Sequence, residues 1–365
     1  MFRATAAAKI SSAFLLMLGP CACSKREAGL SRSSEGAGAV SSTPVASAPP
    51  GTIPDPLDPR RPMRIDEDRG GDAGNWVTAR PGFQGSRTPA QRGGIEPCAP
   101  QAIDTSQFED WVPLSRGKFT APRNLALDES GGFDLVIHLL GDDPVRRELI
   151  ESQQPFALYS LTVAQNQSYA PLFTGSQLQA AIVAGVEQAL SKRLGKAAHM
   201  RHLAMSAWSA GFVGIEAALS QPSAKDIDAV ILVDGLHAPR NNELAFKAQM
   251  KPFVDFAVRA AQGERSFFVS HSSIDPPDFA STTECAHYLI ASIGSRPRPV
   301  RRADPFGLEL VEFFQQGGFQ VRGYAGNDRA DHCAQLAVLR DAFLALGQRW
   351  QARKLTEPKV NGLGR

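Results

Sequence analysis

The chain has 365 residues, 39 lysines and arginines against 37 aspartates and glutamates, and a formal net charge of +2. That balance implies no strongly basic face of the kind by which proteins hold nucleic acid, so nucleic acid is not an expected partner. A hydrophobic content of 43% is ordinary for a soluble globular protein, and the length suffices for one large domain with extensions.

The N-terminal residues 1–23 read as a targeting segment. Arg3 and Lys9 supply positive charge, Ile10 to Leu18 is an apolar run too short to span a bilayer, and Cys21 and Cys23 follow small residues at once. Leu18-Gly-Pro-Cys21 resembles a lipoprotein processing site, and Pro20-Cys-Ala-Cys23 offers a second one. The expectation is lipid attachment to Cys21 or Cys23 and a place in the cell envelope, with plain secretion as the alternative. Residues 24–110 are rich in Ser, Gly, Pro, Ala and Arg. Such a stretch buries too little apolar surface to offset chain entropy and reads as a disordered tether. Cys98, Cys285 and Cys333 remain after processing. An oxidising compartment permits one disulfide among them, and spacing does not choose the pair.

The folded domain is expected over 111–355, with a flexible tail at 356–365. Phe133 to Gly141 is a near-continuous apolar run bounded by glycine, hence a buried strand. A short polar helix (143–153), a strand (156–163) and a helix (176–194) with apolar residues at helical spacing follow. Next come a strand around Leu203, a helix from Ala210, and a strand over 228–233. A helix over 244–261 has Pro252 as its expected break or kink. A strand (266–270), a helix (281–293), a strand (319–324) and a closing helix (331–353) complete the pattern. No large cap insertion is visible. Residues 237–263 are the expected partial lid and 295–307 a surface loop. Alternation of strand and helix over this length argues for an α/β fold with a mostly parallel, doubly wound sheet. Sites in such sheets form at the carboxyl ends of strands.

One such end carries chemistry. Met200 to Trp208 reads as strand, Ser209 as a sharp turn, and Ala210 to Leu219 as an apolar helix. A serine on that turn is expected to be exposed at the carboxyl end of the sheet beside the first helical N–H groups. Ala207-Trp-Ser209-Ala-Gly211 departs from G-x-S-x-G only in alanine for the first glycine, and both are small. Ser206, three residues earlier, is the rival serine and lies within the strand. Here the chain resembles the α/β-hydrolase family of serine hydrolases, over roughly residues 115–353. The resemblance implies a nucleophile at Ser209 and a base at His332, just after the last strand. It implies an acid at Asp275 or, on the preceding strand's end, at Asp234. It also implies oxyanion donors from the N–H of Leu139 or Leu140 and of Ala210. His138, Trp208, His237 and His271 are expected to line the site. Asp331 adjoins His332 and is expected to diverge from the ring, and Cys333 is a bystander. His199 and His202 could suggest a metal pair, but they begin the elbow strand at the end remote from the site. No H-E-x-x-H or paired C-x-x-C motif indicates zinc, and the implied reaction needs no metal or organic cofactor. The expected substrate is a small-molecule or lipid-like carboxylic ester. A serine peptidase and a non-catalytic binding protein of the same fold are the rivals.

Overall fold

The computed structural model describes residues 104–163, 168–304, 306–326 and 328–356. The expected targeting segment, the lipidation candidates Cys21 and Cys23, nearly all of the tether and the tail lie outside the described residues. Among the described residues no helix is long and apolar enough to cross a membrane. Packing begins ahead of Trp111, since Phe108 is buried and bridges Pro122.

Two short strands, β1 (Val112–Leu114) and β2 (Gly117–Thr120), make an antiparallel hairpin. Then come β3 (Gly132–Leu139), α1 (Asp142–Ser152), β4 (Ala157–Leu161), α2 (Ala170–Phe173) and α3 (Gln177–Leu194). β5 (His199–Trp208) enters a 3-10 turn (Ser209–Gly211) that opens α4 (Phe212–Leu219). β6 (Ala229–Val233), β7 (Ala238–Pro239), α5 (Glu243–Ala261), β8 (Ser266–His271), β9 (Phe279–Ala280) and α6 (Thr282–Ser292) follow. The chain closes with β10 (Arg298–Ala303), β11 (Glu309–Gln316), β12 (Phe319–Tyr324), α7 (Arg329–Ala334) and α8 (Val338–Thr356).

The main sheet has the order β1-β2-β4-β3-β5-β6-β8-β12-β11-β10. β4, β3, β5, β6, β8 and β12 are parallel, and an antiparallel hairpin closes each edge. Side chains alternate across the sheet, so Leu135, Ile137 and Leu139 of β3 face one core while Val136 faces the other. α3, α4, α5 and α6 cover the first face with Ile182, Ile215, Phe253 and Leu289. α1 and α8 cover the second with Leu149, Phe343 and Trp350. Each such aliphatic or aromatic burial contributes roughly 1.5–3 kcal/mol. This is a mostly parallel, doubly wound sheet with helices on both faces, as expected.

Three expectations need correction. Of the break or kink expected at Pro252, the break does not occur: α5 is continuous, and burial of Met250, Phe253, Phe256, Ala257 and Ala260 offsets the lost backbone hydrogen bond. The same packing makes 243–261 part of the body of the domain and not a lid. Residues 298–303 are an edge strand within the expected loop 295–307; Arg298, Arg301 and Arg302 hide it from a hydrophobic pattern, and charge on a sheet edge guards it against further pairing.

Candidate active site

The strand-to-helix turn after β5 is a strained one. Ser209 has φ 53°, in the left-handed region, and is fully buried. Asp234, at the end of β6, has φ 42°, and Leu140, at the end of β3, has φ 75°. A non-glycine residue held there costs roughly 1–3 kcal/mol, and such strain gathers where geometry serves function. Close backbone approach sustains the arrangement. A Cβ on Gly211 would stand 2.4 Å from the Leu139 carbonyl oxygen, and one on Gly235 would stand 2.3 Å from that of Ser209. Ala207, in place of the motif's first glycine, is buried between Leu139 and Leu232 of the adjacent strands.

Asp234, not Asp275, meets the histidine. His332 Nδ1 donates to Asp234 Oδ2 at 2.7 Å. Asp234 Oδ1 accepts from the Ser272 N–H at 2.8 Å and from the Thr282 hydroxyl at 2.9 Å. Burial acts to raise the Asp234 pKa, but the hydrogen bond and charge of His332, with the Thr282 and Ser272 bonds, together hold it below the ordinary carboxylate value. The carboxylate is therefore ionised at neutral pH, and its partner nitrogen carries the proton. Asp275 lies on the surface, with 74% of its side chain exposed, and pairs with Arg240. Its loop reaches past β8 to Arg240, which also binds Glu284 at 2.8 Å. The partners Ser272 and Thr282 were not foreseen. Ser281 and Glu284 form a reciprocal capping box, a pattern legible in sequence that sets the first turn of α6 and so the position of Thr282.

His332 lies in α7, whose N-cap Asp328 accepts from the Asp331 N–H at 2.8 Å. Trp208, next to Ser209, stacks on the His332 ring with centroids 4.8 Å apart, and its indole N–H donates to the His332 carbonyl at 3.2 Å. Thus the residue before Ser209 touches the imidazole, and the residue after Asp234 touches the Ser209 backbone. Ser209 Oγ and His332 Nε2 are each buried with no hydrogen-bond partner among the described residues. They do not bond to each other in this structure.

The other expected residues divide. Leu140 is corrected as an oxyanion donor, because its N–H is committed to the Leu161 carbonyl at 3.1 Å. Leu139 is paired with strands on both sides and presents its carbonyl to the elbow. Ala210 sits in the first helical turn, where N–H groups have no intrahelical acceptor. His138 is structural: Nε2 donates to the Leu140 carbonyl at 2.8 Å and Nδ1 accepts from the rival serine, Ser206. Burial pulls the His138 pKa down to about 4, so the ring is neutral. His237 donates Nδ1–H to the Ala280 carbonyl at 2.9 Å and packs between Phe212 and Phe279. Burial lowers its pKa to about 4 as well, and it lies near enough to Asp234 and His332 to feel their charges. His271 is engaged by Thr283 and Glu312. His202 bonds Asp134 at 2.9 Å and stacks on Trp350, in keeping with a structural role at the far end of β5. Cys333 is in a disulfide, whereas Cys285 is a buried thiol. A cleft of about 330 Å³ between Trp111, Lys118, Asp142 and Thr162 opens at the β1–β2 edge, and the three residues Ser209, His332 and Asp234 do not line it.

No protein-family model and no curated protein sequence matches this chain. Among solved structures it is similar to a thermostable esterase (12% identity, 67% of this chain, TM-score 0.38). It covers 63% of that esterase's length. It is also similar to the siderophore hydrolase EstB from Aspergillus nidulans (13% identity, 69% of this chain and 98% of that one, TM-score 0.41). A further likeness is to the enterobactin esterase FES from Shigella flexneri (11% identity, 73% of this chain and 64% of that one, TM-score 0.40).

Proposed function

We propose that this protein is a serine hydrolase that cleaves a carboxylic ester through an acyl-enzyme intermediate. The observation that carries the reading is the buried His332–Asp234 hydrogen bond set beside a strained, buried Ser209. Asp234 holds the proton on Nδ1, which leaves the Nε2 lone pair to accept the Ser209 proton. Ser209 Oγ then attacks the acyl carbon, and the carbonyl electrons move to oxygen. The Ala210 N–H is the proposed oxyanion donor, worth roughly 3 kcal/mol at the transition state. The imidazolium, stabilised by Asp234, returns its proton to the departing alcohol, and water repeats the sequence to release the acid.

A fluorophosphonate probe tests this directly. Labelling of the wild type that disappears in Ser209→Ala supports catalysis. Hydrolysis of p-nitrophenyl acyl esters but not of aminoacyl-p-nitroanilides separates an esterase from a peptidase. One observation favours a second reading: the nucleophile is fully buried and lacks a hydrogen bond to the imidazole. A non-catalytic binding protein of this fold would leave the folded wild type unlabelled. We also propose, from the sequence of residues 1–23 alone, export to the cell envelope with lipid attachment at Cys21 or Cys23. The proposed substrate is then a small-molecule or lipid-like ester met outside the cytoplasm.

A further inference from the structure

Beside the triad acid, three side chains outside the catalytic set converge from three elements. His271 ends β8 and Glu312 lies on β11, with β12 between them. Gly323 of β12 is in register with both. A Cβ on Gly323 would stand 2.4 Å from Glu312 Cγ and 2.6 Å from His271 Nε2. Glycine at the middle strand therefore lets the two side chains close over it, and His271 Nε2 comes to 3.2 Å from Glu312 Oε1. His287 on α6 brings its Nε2 to 2.8 Å from Glu312 Oε2. One nitrogen or oxygen from each residue lies within 4.8 Å of the others.

The protonation of His271 follows from its neighbours. The Thr283 hydroxyl has one proton and donates it to the Ser272 carbonyl at 2.8 Å. It must then accept from His271 Nδ1, at 2.9 Å. With Nδ1 carrying the proton, neutral His271 turns the Nε2 lone pair toward a carboxylate. Two acceptors so placed repel unless a cation joins them. A proton would serve, giving a structural ion pair. Three features favour a metal ion instead. A second imidazole aims at the same carboxylate. The outer N–H of His271 is held by a hydroxyl, the support ligating histidines usually have. The pocket also has a way in, because 28% of the His287 side chain is exposed while His271 is fully buried.

We propose that His271, His287 and Glu312 form a site for a zinc-class divalent transition-metal ion, with two imidazole nitrogens, one carboxylate oxygen and an open fourth position. Bonds of about 2.0–2.1 Å place tetrahedral ligand atoms about 3.3 Å apart; His271 lies 3.2 Å from Glu312 Oε1 and His287 2.8 Å from Oε2, so a turn of the carboxylate would present one oxygen to both imidazoles. The ion would clip β8, β11 and α6 together. Its outer partner Thr283 bonds the Ser272 carbonyl, and the Ser272 N–H bonds Asp234. Metal loading would thus stiffen the turn that holds the carboxylate.

The test strips the full chain with a chelator and titrates it with Zn²⁺ alone by calorimetry, with Co²⁺ as an optical probe. The expected result is one bound equivalent, ligand-field bands with Co²⁺, and a Tm that rises with metal concentration. His287→Ala and Glu312→Gln lose the equivalent while keeping the wild-type circular dichroism, and Thr283→Val weakens binding by about 10–100-fold. A wild type that takes up no stoichiometric metal overturns the proposal, as do His287→Ala and Glu312→Gln proteins that bind as the wild type does. Stoichiometry is the readout, so a catalytically silent protein leaves the test intact.

Discussion

Replacing Asp234 by Asn should abolish turnover through a proton on the wrong nitrogen, with the shape of the site retained. Asp234 Oδ1 accepts from the Ser272 N–H and the Thr282 hydroxyl, both donors. The amide oxygen of an asparagine must occupy that side, which turns its NH₂ toward His332 Nδ1. Nδ1 then accepts, the ring proton moves to Nε2, and the lone pair needed by Ser209 is gone. A triad with this tautomer error loses about 10⁴-fold in kcat, or about 5.5 kcal/mol. Asp275→Asn removes one surface ion pair, worth roughly 0–1 kcal/mol of stability, and should leave kcat within about twofold. Steady-state kinetics on a p-nitrophenyl ester, with folding checked by circular dichroism, compares the two. The assignment of the acid fails if Asp275→Asn loses as much activity as Asp234→Asn, or if Asp234→Asn keeps more than about a tenth of it.

Further outcomes can be measured on stability. Gly235→Ala drives a methyl into the Ser209 carbonyl and should cost about 1–3 kcal/mol in urea unfolding; a variant as stable as the wild type would show that the elbow has slack. Burial pushes the Glu216 pKa up to about 7 from its ordinary 4.5. The folded state then keeps a proton that the unfolded state releases. The Glu216 contribution to stability should be fully present below about pH 4.5, be lost as pH rises to about 7, and level off above. The loss is at most about 3–4 kcal/mol, for a rise from 4.5 to about 7 at 1.36 kcal/mol per pH unit. In Glu216→Gln this slope should vanish; a slope equal to that of the wild type would assign it to another group. For Ser209→Ala, folding should be intact and fluorophosphonate labelling absent, and residual labelling would point to a different nucleophile.

The α/β class and the Ser209 turn were legible in the sequence because they rest on local physics. Apolar runs, helical spacing and small residues around one serine specify strand, turn and helix within a few residues. His332 was singled out by the resemblance, which implies a base just after the last strand, and the apolar pattern of that strand located the position. The rest depended on which strands lie side by side. Asp234 and Asp275 both follow strands of suitable character, and residue type does not distinguish them. Placement of β6 between β5 and β8, with Asp234 in the left-handed region, directs one carboxylate to the imidazole and leaves the other in solvent with Arg240. The His271–Gly323–Glu312 row was equally invisible, since it exists only through the register of three strands. Register and strand order are settled by burial summed over the whole core, and no window of sequence contains that sum.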